Sequence, residues 1–123
     1  MSAALAVGVG CRRGASAEAI VALVRETLAA CEGAAGRMFT HEDKASDGNL
    51  RLAAETLALA LVGIPKSALA AQGARAANPS EAALRRFGLP SVAEAAALAG
   101  AGEGARIVAS RKSAGVTCAV ASR

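Results

Sequence analysis

Aromatic side chains are almost missing from this chain of 123 residues: Phe39 and Phe87 are the only two, and neither Trp nor Tyr occurs. That scarcity argues against the stacking platforms on which single-stranded nucleic acids are usually bound. Lys and Arg never run more than two in a row, so the formal charge of +4 favours anionic partners without drawing a nucleic-acid stripe. Cys11, Cys31 and Cys118 are odd in number and contain no Cys-x-x-Cys, and His41 is the single histidine. Neither a zinc site nor a disulfide framework fits that set, and no protein-bound metal or cofactor is expected. No uncharged apolar stretch approaches the roughly 20 residues of a membrane span. The opening MSAALAVGVG lacks a basic leader, its arginines coming after it. The expectation is a cytoplasmic chain with no membrane or nucleic-acid partner.

What is present is a core. Hydrophobic residues make up 54% and charged ones 20%, a balance that folds, and the length suits one domain spanning 1–123. Residues 5–9 read as a buried strand, and Ser16 caps a helical stripe of Ile20, Leu23, Val24, Thr27, Leu28 and Cys31. Residues 37–40 read as a short strand, 41–46 as polar loop with a helix cap at Ser46 or Asp47, and 58–64 as a strand stopped by Pro65. A short helix over 66–71 precedes a helix that Asn78-Pro79 opens and Gly88 ends. Ser91-Val92-Ala93-Glu94 is a capping box for a further helix fading at 100–104. Strands over 105–109 and 116–121 are too close for a helical crossover, so they pair antiparallel. The order predicts an α/β fold: three layers, α/β/α, with a mixed, mostly parallel sheet of about five strands.

The first turn, GVGCRRGAS, has the look of a phosphate loop, but Gly8, Gly10 and Gly14 are spaced one residue too widely for the dinucleotide fingerprint. No Gly-Lys-Ser/Thr exists for a Walker loop either. What survives is an oxyanion site built from the start of the Ser16 helix with Arg12 and Arg13, set against a plain strand-to-helix turn with solvated arginines. Other cations also follow strands: Lys44 the second, Lys66 the third, and Arg111-Lys112 the strand over 105–109. Ligands of open α/β sheets sit outside the carboxyl ends of the strands, so parallel strands would gather these loops into one basic edge. The stretch His41 to Asp47 lacks the spacing of a zincin helix or a calcium loop and reads as solvated loop. Cys11 beside two arginines at a helix start raises the option of a lowered thiol pKa, though a small buried thiol is the simpler reading.

Several stretches together resemble one family, the CobE/CbiG C-terminal domain of cobalamin (vitamin B12) biosynthesis. They are Gly8-Val9-Gly10-Cys11-Arg12-Arg13-Gly14, then Lys44-Ala45-Ser46-Asp47 with Leu50, Ser91 to Leu98, and Arg111-Lys112 before Val116 to Ala121. With only four residues before Leu5, the resemblance implies the stand-alone form, and not the tail of a longer protein that opens the lactone ring of a cobalt-precorrin. It implies a cobalamin-pathway protein that binds a corrin-ring intermediate, a precorrin or corrinoid acid, as carrier or auxiliary factor. The ligand carboxylates would meet Gly10, Cys11, Arg12, Arg13, Gly14, Lys44, Arg111 and Lys112, with Ser91 and Glu94 as further candidates and no catalytic residue assigned. Two other readings stay open: a hydrolase of the corrinoid ring using Cys11, Lys44 or Glu94, and a subunit docking on another cobalamin-pathway enzyme.

Overall fold

A computed structural model describes residues 4–72 and 92–123. Five strands form one sheet: β1 (Ala4–Cys11), β2 (Ala34–His41), β3 (Ala60–Ile64), β4 (Arg106–Ser113) and β5 (Val116–Ser122), in the order β3-β2-β1-β5-β4. β1, β2 and β3 run parallel, whereas β5 lies antiparallel to both β1 and β4. The mixed sheet with its terminal hairpin is the expected fold class. Two helices, α1 (Ala17–Ala29) and α2 (Gly48–Thr56), cover one face. The other carries α3 (Lys66–Ala70) and α4 (Val92–Ala101). The helix predicted over 78–88 and the Ser91 cap lie outside the described residues.

Alternation along the strands sorts the core. β1 sends Leu5, Val7 and Val9 toward α1 and α2, where Ile20, Leu23, Val24, Leu50, Val116 and Val120 meet them. Helix α1 starts where Ser16 accepts the Ala19 N–H at 3.1 Å, and α2 where Asp47 accepts that of Leu50 at 3.0 Å. The opposite face is built of small groups: Ala6, Ala119 and Ala121 on the strands, and Ala93, Ala95, Ala96 and Ala97 on α4. Gly8 is the tightest point. A Cβ there would fall on the Ala93 carbonyl oxygen and lie 2.6 Å from the Ala97 nitrogen. Helix α4 thus rests with its backbone directly on β1. Gly100 repeats the device, since a Cβ there would strike the Phe39 ring, 2.6 Å from Cγ.

Three elements differ from their sequence reading. The strand expected over 58–64 starts only at Ala60, because Ala58 and Leu59 close helix α2. β2 extends through His41, and β4 runs on past residue 109 to Ser113, so that Arg111 and Lys112 belong to the strand and not to a loop. The hairpin is closed by Ala114 and Gly115 alone, both at positive φ (51° and 77°), the two-residue turn that matches strand twist. Helix α2 ends in a Schellman motif, with the Leu59 N–H donating to the Ala54 carbonyl at 2.9 Å and that of Ala58 to Glu55 at 3.1 Å. The left-handed residue of that motif is Ala58, at φ 57°, where glycine is usual.

Gly8→Ala is expected to destabilise the fold by about 3 kcal/mol or more, because backbone atoms cannot yield as a flexible side chain would. Gly36→Ala, whose added Cβ meets nothing within 4 Å, should cost nothing measurable. Urea unfolding midpoints of the two variants check the contrast. Ala58→Gly should stabilise by up to about 1 kcal/mol, relief of left-handed strain exceeding the added unfolded-state entropy. Thermal melting reads it as a rise of a few degrees, at about 2–8 °C per kcal/mol.

Candidate functional site

The carboxyl ends of β1 and β2 open on a cavity of about 240 Å³. Its walls come from three elements. Gly10 and Cys11 close β1, Thr40 and His41 close β2 with Asp43 and Lys44 on the 3-10 turn that follows, and Val92 begins α4. Successive connections run outward from β1 to β3, while the last two strands lie on the other side of β1. The cavity lies on the β2 side, at the carboxyl ends of two parallel strands, the edge at which ligands of open α/β sheets bind.

Short local bonds hold the walls. The buried Thr40 hydroxyl donates to the Val9 carbonyl at 2.8 Å, fastening the end of β2 to β1. His41 is only 5% exposed, and its Nδ1 accepts the Asp43 N–H at 3.0 Å, so the neutral ring carries its proton on Nε2. The Asp43 carboxylate lies 3.6 Å from Nδ1 but is largely in solvent. Asn49 donates to the Ala15 carbonyl at 3.0 Å and ties the β1–α1 turn to α2. On the other flank, the Arg12 N–H donates to the Gly115 carbonyl at 2.9 Å. The Arg12 side chain crosses that turn so closely that a Cβ on Gly115 would stand 2.7 Å from its Cγ. Glycine at 115 thus serves both the positive φ and the seat of Arg12.

Of the residues expected from sequence, Gly10, Cys11 and Lys44 line the cavity. Arg12, Arg13 and Gly14 are exposed on the turn at the same end of the sheet. Since β1 and β2 are parallel, the Arg12 and Lys44 turns do share one edge. Lys66 is exposed just beyond the carboxyl end of β3, farther along it. Lys112 pairs with Thr117, which pairs with Gly10, so register turns it to the sheet face that carries α4. Arg111 does not join the basic edge. Its partner across the strands is Cys118, on the α1 face, and its guanidinium lies 3.5 Å from Glu26 of α1. The reason is alternation: once β4 continues past residue 109, neighbours 111 and 112 must face opposite ways. Glu94 is buried within α4, 1% exposed, and does not line the cavity. Ser91 lies outside the described residues.

Sequence reasoning missed Thr40, His41, Asp43 and Val92 as lining residues. A signal existed for the first two: extending the period-2 reading of β2 by one residue carries His41 into the strand and out of the polar loop. For Val92 no local signal exists, because only the packing of α4 on Gly8 brings its start to the edge. Among the described residues, no group of three or more His, Cys, Asp and Glu side chains is placed to hold a metal ion. No helix among them is long and apolar enough to cross a membrane.

The thiols answer the question raised by Arg12 and Arg13. Burial pushes the Cys11 thiol above its ordinary pKa, Lys44 pulling it down and Asp47 up by lesser amounts. The lowered value that neighbouring arginines suggested is not what the fold produces. Burial raises Cys31 as well, and Cys118, fully buried, to about 11. At pH 8, iodoacetamide should therefore modify Cys11 more slowly than a free model thiol, with a rate still climbing above pH 9. Cys118 should stay unmodified until denaturant is added. Mass spectrometry of labelled peptides checks both.

These features define an open, mixed α/β domain whose cavity lies at the carboxyl edge, with cations gathered around it. Residues 5–121 match the family described as cobalamin synthesis G C-terminus, and the chain belongs to that family of cobalamin biosynthesis proteins. It is 37% identical over 109 residues to protein CobE of a Sinorhizobium species, covering 86% of this chain and 71% of that protein. The crystal structure of CobE, a protein from the cobalamin (vitamin B12) biosynthetic pathway, superposes with a TM-score of 0.87 at 34% identity, over 100% of this chain and 92% of that one. The cobalamin biosynthesis protein chiG of Agrobacterium tumefaciens strain C58 superposes with a TM-score of 0.74 at 36% identity, over 95% and 96%. The family resemblance read from the sequence is borne out.

Proposed function

We propose that this cobalamin biosynthesis protein binds a carboxylate-rich corrin-ring intermediate at the cavity edge, as a carrier or auxiliary factor in the cytoplasm. The observation that carries the reading is the meeting of Lys44, in the cavity wall, with Arg12, Arg13 and Lys112 around the same end of the sheet. Corrin-ring acids are broad apolar rings edged by carboxylates, and such an edge offers a cation for each of several carboxylates. The flat contact falls to small groups such as Gly10, Val92 and the stems of the lysine and arginine side chains. Two of the residues once open to a hydrolytic role argue for binding instead. Cys11 holds its proton more tightly than an ordinary thiol, and Glu94 is enclosed in α4.

Charge-assisted contacts contribute roughly 1.5–3 kcal/mol each, so several of them with some ring burial support micromolar binding, about −8 kcal/mol. In an absorbance titration with a corrinoid acid, Arg12→Glu and Lys112→Glu should each weaken binding by about tenfold or more. Added salt should weaken the wild type and affect the two variants less. Arg111→Glu should bind as wild type does, since its side chain belongs to the α1 face. Wild-type affinity in both Arg12→Glu and Lys112→Glu at low and high salt would remove the basic edge as the site.

A further inference from the structure

Building on the corrinoid-binding reading, we infer that the cavity is a subsite for one peripheral carboxylate arm of the ring. The protein would then select free-acid ligands over those in which that arm has become a neutral amide. Size comes first. At about 240 Å³, the cavity falls below the roughly 300–1,000 Å³ of pockets that engulf a drug-sized molecule, and a tetrapyrrole ring is larger still. The macrocycle must therefore lie across the mouth, and only a side arm can enter.

The walls decide which arm. Lys44 is half-buried, lines the cavity and is near enough to Cys11 to pull its thiol pKa down, so one cation stands in the cavity wall. Val92, the first described residue of α4, lines the same space. Gly10 lies beside it: a Cβ there would stand 3.6 Å from the Ala93 nitrogen and from the Val92 Cβ, ordinary packing distance. Asp43 itself lines the cavity, Asp47 stands on the same connection, and Glu94 is buried in the first turn of α4. Asp43 turns its carboxylate to solvent, 83% exposed, and Asp47 is engaged by the Leu50 N–H. A carboxylate entering the cavity thus meets the Lys44 cation in its wall. An amide of the same shape gains little from it. Conversion of that carboxylate to an amide is accordingly the class of reaction that would end the complex.

Two corrinoids sharing one ring, one with free carboxylates and one with them amidated, test this by absorbance titration of the full chain. The free acid is expected to bind at least about tenfold more tightly. Lys44→Met should shrink that ratio by several fold, Lys44→Arg should restore most of it, and Arg111→Met should leave it intact. Thermal melts of each variant confirm that comparisons are made on folded protein. Equal affinity for acid and amide would overturn the inference while leaving corrinoid binding standing. So would a preference for the acid that Lys44→Met does not diminish, because the discrimination would then arise outside the cavity. Binding of neither ligand would overturn the corrinoid reading itself, and the subsite with it.

Discussion

The contact on which the rest of the structure depends is the seating of α4 on β1 at Gly8. There the helix backbone lies against the strand with no side chain between them, so the layers approach more closely than any larger residue permits. Once that distance is set, neighbouring positions on both elements are limited to small groups, and Ala6, Ala119, Ala121, Ala93 and Ala97 meet the limit. Gly100 applies the same constraint against Phe39. The scarcity of aromatics and the abundance of alanine express this one packing choice. Away from that contact larger residues return: Phe39, Ile64, Leu69 and Leu98 on the α4 side, and Ile20, Leu23, Leu50 and Met38 beneath α1 and α2.

The same contact places the site. A helix laid along β1 with its start near Gly10 brings Val92 to the carboxyl edge, and β2 delivers Thr40, His41 and the turn bearing Lys44 from the other side. The Thr40–Val9 and Asn49–Ala15 hydrogen bonds fix the ends of β2 and of the β1–α1 turn relative to one another. Arg12, Arg13, Lys44 and Lys112 stand around the cavity, while the ion pair of Arg111 with Glu26 belongs to another face and, with both partners exposed, adds little stability. The cavity therefore joins a hydrogen-bonded rim to charged side chains, the arrangement on which the proposed binding rests.

Much of this was legible in one dimension. Ser16 and Asp47 are cap residues by type and position, and both cap in the fold. Period-2 and period-3.6 patterns located the strands and helices, the alternation of strand and helix pointed to a parallel run of β1 to β3, and the short last connection dictated the closing hairpin. Boundaries were harder, and at two places they mattered. A polar residue ending a strand looks like loop, so the alternation pattern stops short of His41 although the strand buries it. Extension of β4 through Arg111 and Lys112 depends on pairing with β5 across the hairpin, and charged residues on an edge strand leave no apolar trace of that pairing.

By itself, the sequence determined the fold class, the family, and the collection of Gly10, Cys11, Arg12, Arg13 and Lys44 near one end of the sheet, because periodicity, capping and connectivity are local properties of the chain. Tertiary structure alone decided which of these groups share a cavity. It turned Arg111 away and Lys112 toward the α4 face, brought Val92 beside Gly10, and enclosed Cys11 enough to raise its thiol pKa. Strand register and the distance between packed layers govern those outcomes, and both arise between residues far apart in sequence.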